Sequence, residues 1–121
     1  MDMAVTRDGV IVIPHDPILH SPPCRRPLEH AVIRELTLKQ VKEWDCGSQP
    51  HRSFPRQERI PRARVPTLDE AFQLASRGSF AYNIETKSFL DHPEHAPPPG
   101  VFAEMVVEKV RQYLNTSWNN E

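Results

Sequence analysis

Apolar and polar positions alternate most clearly at residues 80–87, where Phe80, Tyr82 and Ile84 are interleaved with Ala81, Asn83, Glu85 and Lys87. A period of two sets the rings and the isoleucine on one face of a short strand, and an amide, a carboxylate and an ammonium on the other. Two more β-prone runs, residues 2–6 (DMAVT) and 10–13 (VIVI), flank Arg7-Asp8-Gly9. So short a connection can only return the chain antiparallel, which predicts a hairpin with an Asp-Gly turn. Helical spacing appears late, in Phe102, Met105, Val106, Lys109, Val110 and Tyr113, and predicts a long amphipathic helix. Two earlier helices are announced by capping boxes, Thr37-Leu-Lys-Gln40 and Thr67-Leu-Asp-Glu70. Leu36 and Val41 suit a hydrophobic staple on the first, with Gly47 near its stop. Leu68, Ala71, Phe72 and Ala75 line one face of the second before Gly78 ends it.

Between these elements the chain reads as loop. Five prolines between positions 14 and 27 forbid a regular helix or an inner strand there. A Pro- and Arg-rich stretch separates the two capped helices, and DHPEHAPPPG precedes the long one. Helix, turn, strand, loop and helix is the rhythm of an α/β protein with parallel strands, whose ligands sit beyond strand ends. At 121 residues the chain supports one modest core, well short of the roughly 250 residues of a closed eight-stranded α/β barrel.

Composition narrows the partners. With 15 basic and 16 acidic side chains the net charge is -1, so no overall field recruits nucleic acid or an anionic membrane. The arginines at 52, 56, 59, 62 and 64 have one aromatic neighbour, Phe54, and suit a solvated loop or the border of an anionic substrate better than a nucleic-acid patch. Cys24 and Cys46 lie far apart with no C-x-x-C, a pattern that favours two partly buried thiols over a bridge or a zinc site. No apolar run approaches the ~18 residues of a membrane span, and no signal-peptide pattern opens the chain. The default expectation is the cytoplasm, with the periplasm or secretion open if residues precede Met1.

The polar face of residues 80–87 carries the chemistry. A carboxylate on a buried strand must be paired or must bind a cation. One reading is a simple Glu85–Lys87 ion pair. The other brings in Asp2, which neighbouring strands would set beside Glu85 to make a hard-oxygen site for Ca²⁺ or Mg²⁺. His15, in HDP at the end of a β run, adds a group able to exchange a proton near neutral pH. His92-Pro-Glu-His95 is a further metal candidate, weakened by having no cysteine near and too few ligands for structural zinc.

DMAVTRDGVIVIPHDP, ELTLKQVKEWDCGS, RVPTLDEAF and YNIETK, in this order and spacing, resemble the glycerophosphodiester phosphodiesterase (GDPD) family. The family pattern runs E-x-D, T-x-D-G, a β run ending in H-D, an L-T-L helix, I-P-T-L-E-E and N-I-E-x-K. The resemblance implies a (β/α)8 TIM barrel that hydrolyses glycerophosphodiesters to glycerol 3-phosphate and an alcohol with a divalent cation and two histidines. It also implies that Asp2 and Glu85 are metal ligands, His15 is a catalytic histidine, and Lys87 is a catalytic and substrate-binding positive group beside the phosphate.

The family's first strand, with its H-R, and the Glu of E-x-D would both precede Met1, and several family strands would follow Glu121. The sequence therefore reads as a single partial domain, an incomplete barrel. Such a chain is expected to be weakly active or inactive alone, marginally stable, and prone to self-association through exposed sheet edges. The alternative is a catalytically dead remnant or interaction module that retains part of the fold.

Overall fold

The computed structural model describes residues 1–20, 24, 30–79 and 81–118; Phe80 and the side chain of Ala75 lie outside the described residues. The predicted hairpin forms. Strand β1 (Asp2–Val5) pairs antiparallel with β2 (Ile11–Val12), Ala4 opposite Val12 and Val5 opposite Ile11. Gly9 takes a φ of +79°, and the Thr6 hydroxyl donates to Asp8 at 2.6 Å, closing the turn. A left-handed residue at this point is what glycine supplies without a Cβ clash.

The pleat separates two cores. Met3, Val5 and Ile11 face one, Ala4 and Val12 the other. The first core is completed by Leu68 and Phe72 of α2 (Leu68–Phe72) and by Phe102 and Val106 of α3 (Pro99–Trp118). The second holds Ile33, Val65, Trp44 and Val41 of α1 (Leu38–Val41). Burying Phe102, with a relative exposure of 0%, removes a large apolar surface from water, and this is what holds α3 to the sheet. Lys109 adds an ion pair to Asp69 at 2.8 Å across α2 and α3.

Both capping boxes are made in full. Thr37 and Thr67 accept from the backbone N–H of Gln40 and Glu70, whose side chains accept in return from the backbone N–H of the caps. Glu70 also receives Lys42 at 2.5 Å, which ties α1 to α2, and these donors hold its carboxyl below the usual carboxylate range. The helices themselves are shorter than their patterns suggest. α1 ends at Val41, and after α2 the chain tightens into a 3-10 turn, Gln73–Arg77. Gly47 does not stop α1: it lies where the backbone at Ile60 passes so close that an added Cβ would meet the Ile60 carbonyl oxygen at 2.0 Å. Asp45 anchors this corner, accepting from the Gly47 and Ser48 N–H groups and from the Ser48 hydroxyl at 2.5 Å, with its pKa lowered to about 2 chiefly by that hydroxyl.

Three expectations need correction. The proline-rich stretch after Pro14 is not wholly loop, since β3 (Ile18–His20) and β4 (His30–Val32) form a two-stranded antiparallel ribbon. Its three rungs, Ile18 to Val32, Leu19 to Ala31 and His20 to His30, contain no proline and sit outside the main sheet. The alternating segment at 80–87 contributes only β5 (Glu85–Thr86) as regular strand, though Tyr82 and Ile84 do pack on the first core as alternation requires. The two cysteines are not thiols: Cys24 and Cys46 form a disulfide that lies among the second core's side chains. In keeping with an incomplete barrel, the main strands form an open sheet of order β2-β1-β5, with no closed barrel among the described residues. No helix is long and apolar enough to cross a membrane among those residues.

Candidate functional site

β5 joins the sheet parallel to β1, in a register that sets Asp2 opposite Glu85 and Met3 opposite Thr86. Backbone bonds fix that register, from Glu85 N–H to the Met1 carbonyl at 2.9 Å and from Lys87 N–H to the Met3 carbonyl at 3.3 Å. The Met1 ammonium reaches across to the Asn83 carbonyl. Side chains alternate along a strand, so Asp2 falls on the face opposite Met3 and the two carboxylates stand side by side. Two like charges at one rung repel unless a cation stands between them. Here Lys87 does so: its Nζ lies 2.9 Å from Glu85 Oε1 and 4.0 Å from Asp2 Oδ1.

Hydrogen bonding to Glu85, with the field of Asp2 behind it, raises the Lys87 pKa above its ordinary value, so the ammonium is permanent at neutral pH. The carboxylates are unequal. Asp2 is mostly enclosed while the Glu85 side chain is 60% exposed. The premise of a buried Glu85 therefore fails, because β5 begins at that residue and its outer edge has no strand partner among the described residues. Both carboxylates open their strands rather than closing them. What gathers the groups is the antiparallel return of β2, which brings His15 back toward the start of β1.

His15 Nδ1 pairs with Asp16 Oδ2 at 3.0 Å, and its ring is largely exposed. The bond to Asp16 raises the His15 pKa first, Asp2 raises it further, and Lys87 opposes. Imidazole, carboxylate and ammonium thus share one field. In an NMR titration we expect His15 to titrate above the 6.5 of a free imidazole, and Asp16→Asn to return it toward that value. An unchanged midpoint in the variant would remove Asp16 from this role. His15 and Asp16 also line a cavity of about 1050 Å³, with His20, His51, Arg56 and Arg64 among its other walls. Arg64 donates from its guanidinium to the Trp44 carbonyl at 3.3 Å, which ties down its charged head, whereas Arg56 is exposed. The Arg-rich loop thus borders the cavity that His15 enters.

The four residues singled out from sequence are therefore placed at one end of the sheet, with Lys87 within reach of both Asp2 and Glu85 and His15 in the field of Asp2 and Lys87. Sequence reasoning offered the arginines of the loop as a solvated stretch or the border of an anionic substrate, but tied none of them to His15. No local signal links them to His15, because the juxtaposition is made by the Cys46 to Ala63 and Gly47 to Ile60 backbone bonds that fold the loop back.

Comparison with known proteins agrees with the residues. A curated glycerophosphodiester phosphodiesterase of Caldanaerobacter subterraneus subsp. tengcongensis is 27% identical over 113 residues, which cover 93% of this chain and 40% of that protein. A crystal structure of a Silicibacter pomeroyi DSS-3 protein assigned as a glycerophosphoryl diester phosphodiesterase superposes with a TM-score of 0.77 at 27% identity, over 93% of this chain and 42% of that one. The chain thus spans well under half the length of either relative. Residues 1–120 match the profile of the glycerophosphoryl diester phosphodiesterase family, and the chain belongs to that family.

Proposed function

We propose that Asp2, Glu85, Lys87 and His15 form the cation- and phosphate-handling corner of a metal-dependent phosphodiesterase that cleaves glycerophosphodiesters to sn-glycerol 3-phosphate and an alcohol. One observation carries the reading: the parallel register that sets Asp2 beside Glu85 with a positive charge already between them. The donor set fits a hard divalent cation, since adjacent carboxylate oxygens without nitrogen or sulfur suit Ca²⁺ or Mg²⁺. Asp2 and Glu85 would hold it. When bound, such a cation draws charge from the phosphoryl oxygens and lowers the barrier to displacement.

The chain's own groups supply the rest. Lys87 meets the diester's negative oxygens with a fixed ammonium, which matters most as charge builds in the transition state. His15 keeps its proton through Asp16 and gives it to the departing alkoxide as the ester P–O bond breaks, while water takes that place on phosphorus and its proton passes to a second histidine, the family's other one. Asp16 holds Nδ1 and leaves Nε2 as the donor. Arg56 and Arg64 give the cavity walls a charge complementary to an anionic diester.

The test is choline release from glycerophosphocholine with Mg²⁺ or Ca²⁺, before and after EDTA. Weak turnover that EDTA stops and His15→Ala depresses is the expected result, in keeping with a chain that spans 40% of its enzyme relative. Turnover indifferent to both would overturn the reading.

A further inference from the structure

The 3-10 turn Pro93–His95, just before α3, gathers a second group of ligands far simpler in construction than the first. A 3-10 turn repeats every three residues, so positions 92 and 95 eclipse. Accordingly the His92 and His95 rings stack with centroids 4.7 Å apart and planes within 7°. The His95 N–H donates to the His92 carbonyl at 3.1 Å, and Pro93 at the first position fixes the backbone that holds both rings. Between them stands Glu94. The same carboxylate oxygen, Oε1, lies 3.1 Å from His92 Nδ1 and 3.4 Å from His95 Nε2. One ligand atom from each residue falls within 4.8 Å of the others.

We propose that His92, Glu94 and His95 bind a borderline transition-metal cation of the Zn²⁺ type. Two imidazoles and a carboxylate are a donor set that such ions prefer and that Ca²⁺ and Mg²⁺ do not. Ligands about 2.1 Å from a tetrahedral ion lie roughly 3.4 Å from one another. Both contacts of Glu94 already match this spacing. Only the two ring nitrogens must draw together, and the exposed His92 can turn to do so while His95, 11% exposed, stays packed. Three protein ligands leave a fourth position for water, and the exposure of His92 and Glu94 leaves a path for the ion. A bound ion would lock the turn that leads through Ala96 into the first core and into α3. The proposal is independent of the Asp2 and Glu85 reading and of its outcome.

The experiment is calorimetric titration of ZnCl₂ into the EDTA-stripped, dialysed chain, compared with His92→Ala, Glu94→Gln and, as a control for the cavity histidines, His51→Ala. One saturable site is expected. Its affinity should fall at least about tenfold in His92→Ala and in Glu94→Gln and hold in His51→Ala. Co²⁺ in place of Zn²⁺ should give visible d–d absorption that is lost in the same two variants. His92 and Glu94 are exposed, so circular dichroism should show both variants folded. Absence of saturable binding, or binding that survives His92→Ala, or binding that moves with His51→Ala, overturns the proposal.

Discussion

Glu85→Gln should cost at least about 100-fold in divalent-cation affinity and in cation-dependent turnover, while leaving the melting temperature nearly unchanged. The substitution keeps the side chain's shape and removes its charge. Glu85 is 60% exposed and faces no core residue, so little packing is at risk. Its one strong contact, Lys87 at 2.9 Å, is an exposed ion pair of the kind that adds little to stability. The effect on the cation is of another order, because a site with two carboxylates loses half its formal charge and one of its two anchoring ligands. Lys87→Met supplies the opposite sign. It removes the internal ammonium that competes for the same oxygens, so Ca²⁺ or Mg²⁺ should bind more tightly even as phosphate handling fails. Cation-induced shifts in melting temperature measure both variants without relying on turnover. If Glu85→Gln binds either ion as the parent does, the cation sits elsewhere.

Reduction of the Cys24–Cys46 bond should lower the unfolding free energy by about 3 kcal/mol. The bond closes a loop over a sequence separation of 22, and the loop contains β4 and α1. Releasing it returns entropy to the unfolded chain, while the sulfurs keep their place among Trp44, Val41 and Val65 in the second core. A loss of that size is a large share of the roughly 5–15 kcal/mol that stabilises a typical domain. Urea unfolding with and without dithiothreitol, and of Cys24→Ala, reads it directly. Coincident transitions would show that the closed loop contributes nothing. In a reducing compartment the pair would stand as two thiols, Cys24 buried and Cys46 partly so.

What could be read in advance was whatever local chemistry decides. Asp8-Gly9 makes a turn because a left-handed residue is needed and glycine tolerates it. Thr37 and Thr67 cap helices because hydroxyl and amide lie three residues apart, whatever the rest of the chain does. The site itself was legible only through several motifs taken together, since nothing in the vicinity of Asp2 names Glu85 as its neighbour. Pairings that depend on the return of distant chain escaped. The disulfide needs the β3–β4 ribbon to carry Cys24 back toward Cys46, and prolines hid that ribbon. The brevity of α1 and β5 also escaped, because apolar periodicity marks a face to be buried and not how many turns or rungs will form. At residues 92–95 the spacing of the histidines was plain, but the contribution of Glu94 depends on a 3-10 geometry that the prolines impose.

The pairing of residue 2 with residue 85 also sets a timetable. The hairpin at 2–12 and the two capped turns can form as soon as they are synthesised, because their contacts are local. The carboxylate pair cannot, since closing so long an intervening segment carries its full entropic cost before any rung of β5 repays it. A ribosome would have to release residues 85–87 before Asp2 meets Glu85 across the sheet. Until then Asp2 has neither Glu85 nor Lys87 beside it.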